Sequence, residues 1–347
     1  MEFYTAAVLK EIELRKNYIT DKEKINTIYF GGGTPSMMNS ESISIIIKKL
    51  FQTFQVSSDA EITIECNPED LIKEKLIEFK KIKINRLSIG IQSFSDVDLE
   101  YLGRNHSAAK AIESIHLAKE SGFENLTIDL IYGIPTLNSK QWKENINIAF
   151  NLGIPHISAY CLTVEDKTIL KHLILSKKRK EINDNEAVKN FKTLMKLMSS
   201  NNYIHYEISN FAKEGFESKH NSSYWKGEKY LGLGASAHSY NLNSRQWNTS
   251  NTNIYIKSVN DNKPNFEIEI LTKSQKFNEY ILTSLRNLWG LDLIYIKKYF
   301  GEEYYDKTIK TVVLLMKNGT IIQEESRIYL SEKGKFFADA IAADLFL

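Results

Sequence analysis

The first half of the chain alternates between short apolar runs and longer segments whose apolar residues follow helical spacing. The apolar runs are rich in Ile and Leu and lack an apolar–polar alternation, which is typical of strands buried on both faces. They predict strands at 27–30, 62–66, 86–92, 126–132 and 157–162. The segments between them predict helices at 42–55, 70–81, 108–121 and 139–152. Strand–helix units of this length build a parallel sheet, either doubly wound or closed into a barrel.

The pattern changes after residue 163. A charged stretch at 171–183 predicts a solvated connection, helical spacing predicts a helix at 187–200, and 204–209 predicts a further strand. Residues 212–260 are rich in Gly, Asn, Ser, Tyr and Trp, and they predict a loop with functional side chains.

The C-terminal segment, from about residue 274, predicts a compact unit of helices followed by a hairpin. Helices are predicted at 275–287, 292–300 and 304–317, a turn at Asn318-Gly319, a hairpin within 321–330 and a last helix after Ser331. Three helices and a β-wing resemble a winged helix, but Glu302, Glu303 and Asp306 interrupt the lysines, so a structural role is favoured over nucleic-acid binding. We expect an α/β domain at 1–165, an extension at 166–273 and a winged-helix-like α+β domain at 274–347.

Composition is that of an ordinary soluble globular protein. Of 347 residues, 42% are hydrophobic and 25% charged, and the net charge of +2 gives no strong field for nucleic acid or a membrane. No apolar run reaches the length of a membrane span, and the N-terminus carries no signal pattern. Two cysteines in so long a chain predict a reducing cytoplasm without disulfides.

Hydrogen-bonding residues follow several predicted strands at the end where parallel barrels bind ligands. The first strand runs into Phe-Gly-Gly-Gly-Thr-Pro-Ser, whose bare glycine backbone suits an amino-acid moiety. The set comprises Thr34, Glu65, Gln92, Arg104 and Asp129. Carboxylates suit amines or ribose hydroxyls, and arginine suits a carboxylate. A single buried carboxylate is commonly structural, but five such residues at one rim predict a ligand site.

These motifs resemble a known family. Phe-Gly-Gly-Gly-Thr-Pro-Ser, Glu-Cys-Asn-Pro-Glu, Ile-Gly-Ile-Gln-Ser-Phe, Leu-Gly-Arg-Asn-His and Asp-Leu-Ile-Tyr-Gly-Ile-Pro occur in this order. The chain resembles the radical S-adenosylmethionine (SAM) proteins of the oxygen-independent coproporphyrinogen oxidase group, from about Glu11 to the C-terminus. The resemblance implies a partial (β/α)6 TIM-like barrel. It also implies SAM binding by Gly32, Gly33, Thr34, Glu65, Gln92, Arg104 and Asp129.

A second motif resembles the haem-chaperone (HemW) branch of that group. His-Asn-Ser-Ser-Tyr-Trp at 220–225 is followed by the glycine-rich segment 230–239. The haem-binding residues implied are His220, Asn221, Tyr224 and Trp225. Histidine is the common proximal ligand of haem iron, and the two aromatics could lie against a porphyrin face. The alternative is a polar loop histidine beside core aromatics; His205 and His238 are weaker candidates, with His238 expected to shape the glycine-rich segment.

The cysteines depart from the family pattern. The family holds a [4Fe–4S] cluster on Cys-x-x-x-Cys-x-x-Cys near the N-terminus, but this sequence has only Cys66 and Cys161, both within strand patterns. We therefore expect no metal ligands in this chain, and buried apolar roles for both thiols. The helical pattern at 3–16 has no strand before it, so we expect Met1 to be an internal start with the first strand and its motif lost upstream. The alternative is a member that naturally lacks the cluster.

Three functional hypotheses follow from the resemblance. The first is a haem chaperone that binds haem, SAM and, in the complete protein, a [4Fe–4S] cluster, and passes haem to an acceptor protein, with transient membrane association through that acceptor left open. The second is a coproporphyrinogen oxidase, in which a SAM-derived radical abstracts a substrate hydrogen and propionates are decarboxylated. The third is an inactive truncated member. The motif at His220 favours the chaperone, and without cluster ligands we expect no radical chemistry.

Overall fold

A computed structural model describes residues 2–19 and 23–347. The chain divides into two compact units, each built from discontinuous segments. The first unit comprises Met1–Asn26, Glu41–Ala60 and Ser218–Leu347, and the second comprises Thr27–Ser40 and Glu61–Glu217. The division at 165 and 273 stays a prediction, whereas the α/β class is confirmed.

A seven-stranded sheet organises the second unit. Its order is β1-β2-β3-β4-β5-β7-β6; strands β2 to β5 pair in parallel, and β7 pairs antiparallel with both β5 and β6. The strands are β1 (Ile25–Phe30), β2 (Val56–Cys66), β3 (Arg86–Gln92), β4 (Asn125–Tyr132), β5 (His156–Cys161), β6 (Ile204–Glu207) and β7 (Asn210–Ala212). All five strands predicted in the first half are present. The single strand predicted at 204–209 is instead a short hairpin, since a turn at Ile208-Ser209 reverses the chain.

Helices follow these strands and bury their apolar residues. Asn138 starts α6 with a capping box, in which its side chain accepts the Gln141 N–H and the Gln141 side chain returns to the Asn138 N–H. The helices up to residue 200 are α1 (Glu2–Leu14), α2 (Ser40–Thr53), α3 (Lys73–Lys81), α4 (Asp96–Leu102), α5 (Ala108–Glu120), α6 (Ser139–Asn151), α7 (Ile169–Leu175) and α8 (Asp184–Ser200). Residues 171–183 are exposed or partly exposed, as expected of a solvated connection, but the connection begins inside α7, which Thr168 caps.

The first unit is built from helices and two small antiparallel sheets, ordered β10-β9-β8 and β11-β13-β12. Its later elements are α9 (Lys219–Trp225), β8 (His238–Tyr240), β9 (Ser244–Asn248), α10 (Thr252–Asn260), β10 (Phe266–Ile270), α11 (Lys273–Leu285), β11 (Leu291–Asp292), α12 (Leu293–Phe300), α13 (Glu302–Lys317), β12 (Ile321–Glu324), β13 (Arg327–Leu330) and α14 (Ala338–Asp344). The loop predicted at 212–260 is therefore wrong for much of its length. Its Ser and Asn residues start helices: Ser218 caps α9 and Asn251 caps α10.

The glycine-rich segment 230–239 is held by α1. The fully buried Glu11 carboxylate accepts the Gly234 N–H at 2.8 Å and the Tyr255 hydroxyl at 2.7 Å. Asn248 donates to the other carboxylate oxygen at 2.7 Å. Arg15, the residue that directly follows α1, donates to the Gly232 carbonyl oxygen at 3.3 Å. The buried charge thus satisfies donors from several separate elements.

Within the described residues, no helix is both long and apolar enough to cross a membrane.

Candidate functional site

The glycine turn after β1 is shaped to bring bare backbone to an open surface. A Cβ on Gly31 would lie 2.6 Å from the Tyr29 ring and 3.1 Å from Glu65 Oε1, so no side chain fits there. Gly32 and Gly33 have φ of +80° and +63°, which side chains rarely adopt, and nothing lies within 4 Å of where their Cβ atoms would be. The turn therefore leaves space in which a ligand can contact the backbone.

Glu65, near the end of β2, is fixed against this turn. Its carboxylate accepts the Tyr29 hydroxyl at 2.7 Å and the Gly32 N–H at 3.1 Å. Thr34 continues the same rim and accepts from Asn67 Nδ2 at 3.4 Å. Burial, then the Glu65 carboxylate, raises the pKa of Tyr29 far above its usual value, so the phenol stays protonated and donates. The ends of β1 and β2 thus place the Glu65 carboxylate beside glycine backbone that no side chain covers.

Gln92 and Arg104 meet at the end of β3. Gln92 is buried yet has φ of +66°, an uncommon conformation for a residue with a side chain. Its amide oxygen accepts from the exposed Arg104 guanidinium at 3.2 Å. His106 holds the loop after Arg104, with Nε2 3.1 Å from the Ile91 carbonyl oxygen and Nδ1 3.3 Å from Glu69. Such local strain, held in place by its surroundings, is concentrated at binding sites.

Asp129 lies on β4, two strands from Glu65 in the sheet. Burial, then the nearby Glu65 carboxylate, raises the pKa of Asp129 to about 7, while the Ser158 hydroxyl and Arg104 oppose the rise. At neutral pH this carboxyl is therefore poised between its neutral and charged forms. A cationic ligand at the rim would favour the charged form, since opposite charge stabilises a carboxylate.

The structure therefore brings the predicted rim residues into one connected group: Gly32 with Glu65, Gln92 with Arg104, and Asp129 within electrostatic reach of both Glu65 and Arg104. Sequence reasoning missed Tyr29 and Ser158, which position the carboxylates. Both lie within the apolar runs of their strands, before the rim. The one signal in the sequence is that each is a hydrogen-bonding residue inside an apolar run.

A second candidate region lies on α9. His220 and Tyr224 are one turn apart, with His220 Nε2 3.1 Å from the Tyr224 hydroxyl and their rings edge-on at 5.0 Å. Tyr230 packs edge-on against Tyr224 at 4.8 Å. Burial lowers the pKa of His220 to about 4, so its imidazole is neutral at pH 7 and keeps a nitrogen lone pair. A neutral imidazole is the form that ligates metals.

Trp225 ends α9 with an unmet hydrogen-bond donor. Its indole Nε1 is buried and has no partner among the residues that the structure describes. The Arg286 guanidinium carbon lies 5.6 Å from the Trp225 ring centroid. Asn221 also belongs to α9, and its backbone N–H donates to Ser218 Oγ at 3.1 Å. Arg286 pairs with Asp339, so the open hydrogen-bonding position at this end of α9 is the Trp225 indole N–H.

The two weaker candidates for haem ligation, His205 and His238, have local structural partners. His205 Nε2 lies 3.0 Å from the Ile208 carbonyl oxygen, and its ring stacks on Phe211 at 4.1 Å. His238 stacks on Trp247 at 6.2 Å. A Cβ on Gly232 would lie 2.1 Å from the His238 carbonyl oxygen, so this backbone crossing requires glycine. This contact is made by the backbone of His238, so the expectation that the histidine shapes the glycine-rich segment stays a prediction.

Comparison with known proteins shows the family of the chain. A model described as the radical SAM superfamily matches residues 4–149. A protein of Bacillus subtilis (strain 168) named Heme chaperone HemW is 34% identical over 328 residues, which cover 93% of this chain and 86% of that protein. The chain belongs to the radical SAM superfamily, in the HemW group. A Heme chaperone HemW of Lactococcus lactis is 30% identical over 316 residues, covering 90% of this chain and 82% of that protein.

Solved structures agree on the fold. Coproporphyrinogen III oxidase (HemN) from Escherichia coli, described as a radical SAM enzyme, superposes with a TM-score of 0.84 over 99% of this chain and 83% of that one. Its sequence identity is 21%, so this likeness establishes the radical SAM fold and not the reaction.

The iron–sulfur cluster that the radical SAM family implies does not fit the residues described. Cys66 on β2 and Cys161 on β5 are free thiols on strands separated by β3 and β4. Cys66 is buried, but Cys161 at the end of β5 is exposed, so the buried role expected for Cys161 is wrong. Desolvation raises the pKa of both thiols, whereas cluster ligands are thiolates. Residues 2–19 and 23–347 contain no group of three or more His, Cys, Asp or Glu that could hold a metal ion. We therefore derive no radical step for this chain.

Proposed function

We propose that this chain is a haem chaperone, which binds haem beside α9 and SAM at the rim of the sheet, and which passes haem to an acceptor protein. The observation that carries the proposal is the 34% identity to a named Heme chaperone HemW across 93% of the chain. Its low cysteine content supports a reducing cytoplasm as its location. The likeness to HemN is one of fold, so it does not favour the oxidase.

The rim residues fit SAM. The amino-acid part of SAM would lie against the glycine turn, where Gly32 and Gly33 leave room beside the backbone. Thr34, Glu65, Gln92, Arg104 and Asp129 would hold it. Arg104 offers a partner for a carboxylate, and Glu65 and Asp129 offer partners for an amine or ribose hydroxyls. When bound, SAM brings a sulfonium cation to this rim, next to carboxylates that can balance its charge.

The α9 residues fit haem. His220 and Tyr224 offer iron ligands one turn apart, and the unmet Trp225 Nε1–H, with Arg286 beside it, suits a propionate carboxylate. Asn221 lies on the same short helix. The partner chemistry follows from this set: an iron porphyrin whose acidic edge is held by nitrogen donors.

Haem affinity should fall by at least about tenfold in His220→Ala, because the substitution removes a group that touches the iron or its ligand. An absorbance titration of the purified chain with haem measures this, and we expect saturation at one haem per chain for the unchanged protein. His172→Ala is the matched control, since His172 is exposed on α7 in the other unit.

Equal losses in the two variants would point to nonspecific haem adsorption and would count against the proposal. Saturable binding that survives His220→Ala unchanged would move the haem site away from α9.

A further inference from the structure

Two side chains of α9, His220 and Tyr224, carry atoms that can bind iron, and they contact each other. The inference from this contact rests on the proposal that the chain binds haem. The His220 Nε2 atom lies 3.1 Å from the Tyr224 hydroxyl oxygen. An iron atom bound directly by Nε2 would have to displace that hydroxyl.

Tyr224 is the outer member of the pair. Its side chain is 38% exposed, whereas His220 is the less accessible residue of the two. The Tyr224 ring is fixed on two sides, edge-on to His220 at 5.0 Å and edge-on to Tyr230 at 4.8 Å. A flat macrocycle approaching α9 from solvent therefore meets Tyr224 before His220.

We propose that Tyr224 Oη coordinates the iron of ferric haem and that His220 positions it through the Nε2 hydrogen bond. Oxygen of tyrosine is an established axial ligand for haem iron in proteins, and an anionic oxygen suits the extra positive charge of iron(III). As the Fe–O bond forms, the O–H bond breaks and its proton passes to His220 Nε2, which then donates an N–H hydrogen bond to the phenolate oxygen, while the Nδ1 proton leaves for solvent. No electron is transferred, so no oxidant or reductant is needed.

This assignment gives His220 and Tyr224 different roles. Before haem binds, His220 Nε2 accepts from the Tyr224 hydroxyl and the imidazole proton is on Nδ1, whereas in the haem complex Nε2 carries the proton and donates to the phenolate. His220→Gln keeps a hydrogen-bonding side chain, so it should bind haem more weakly yet retain the spectrum of an oxygen-ligated iron. Tyr224→Phe keeps the ring packed between its neighbours but removes the ligand atom.

Absorption and resonance Raman spectra of the ferric haem complex separate the two assignments. We expect tyrosinate-to-iron charge-transfer and phenolate modes in the unchanged chain and in His220→Gln. Tyr224→Phe should lose them, with haem affinity lower by about tenfold or more. Tyr240→Phe is the control, since Tyr240 contacts Tyr230 but not the pair, and it should keep the spectrum.

The outcomes distinguish this inference from the function on which it rests. Haem binding with nitrogen-ligated spectra, unchanged by Tyr224→Phe, would overturn the assignment while leaving the chaperone proposal standing. Absence of saturable binding in the unchanged chain would overturn both.

Discussion

Glu11→Gln should lower the free energy of unfolding by about 3 kcal/mol, because the change leaves buried donors facing an amide. The Glu11 carboxylate is fully buried and accepts from Gly234, Asn248 and Tyr255 at 2.7–2.8 Å. Glutamine keeps one acceptor oxygen and points an NH2 group at the remaining donors. Thermal and urea unfolding followed by circular dichroism would measure the loss.

The matched control for Glu11 is on the same helix. Glu13→Gln removes an exposed carboxylate that pairs with Lys49, and exposed pairs contribute little to stability. We expect this variant to unfold at the same temperature and urea concentration as the unchanged protein. If Glu11→Gln also unfolded at the same temperature and urea concentration as the unchanged protein, the anchoring of segment 230–239 to α1 would contribute little to the stability of this unit.

Asp129→Asn should stabilise the chain at pH 8 by about 4 kcal/mol, while weakening its affinity for SAM. Burial, then Glu65, raises the pKa of the Asp129 carboxyl to about 7 from 3.8. Between these values the folded state holds a proton that the unfolded state has released, so stability falls as pH rises from about 4 to about 7 and then levels off. Asparagine does not ionise and avoids this loss.

The raised pKa of Asp129 is tested by measuring how the stability difference depends on pH. The stability gap between Asp129→Asn and the unchanged chain should be small at pH 4.5 and largest above pH 7, as measured by urea unfolding across that range. Asp166→Asn is the control, because Asp166 is almost fully exposed. A gap that did not change with pH would contradict the raised pKa. In calorimetry at pH 8, undiminished SAM binding by Asp129→Asn would remove this residue from the proposed SAM site.

Most of the parallel sheet could be predicted because buried strands leave a direct mark on the sequence. The apolar runs that form β1, β3, β4 and β5 lie within two residues of their predicted bounds. The start of β2 was missed by six residues, since Ser57, Ser58 and Asp59 are polar and give no apolar signal. The elements within 212–260 were missed for a related reason: Ser, Asn and Gly favour turns, but here they also cap helices and permit close backbone crossings.

The roles of the candidate site residues stay predictions, but the proximity of the rim residues could be predicted from the sequence, whereas most of their contacts could not. The rim residues were found because the ends of parallel strands share one edge. The residues that position these carboxylates, Tyr29 and Ser158, were not found, because they reach the carboxylates only once the strands are paired in register. The contact between His220 and Tyr224 was not predictable either, because residues 212–260 were predicted as a loop and the two side chains become neighbours only on α9. The unmet donor of Trp225 is likewise visible only in the folded chain.

The measurement that tests the central claim most directly compares haem with metal-free coproporphyrin III on the same preparation of the chain, by absorbance and fluorescence titration. The chaperone account predicts saturable binding of haem at one per chain and markedly weaker binding of the metal-free porphyrin, since iron coordination at α9 supplies much of the affinity. Equal or tighter binding of coproporphyrin would contradict it and would favour a protein that recognises the tetrapyrrole as an oxidase does.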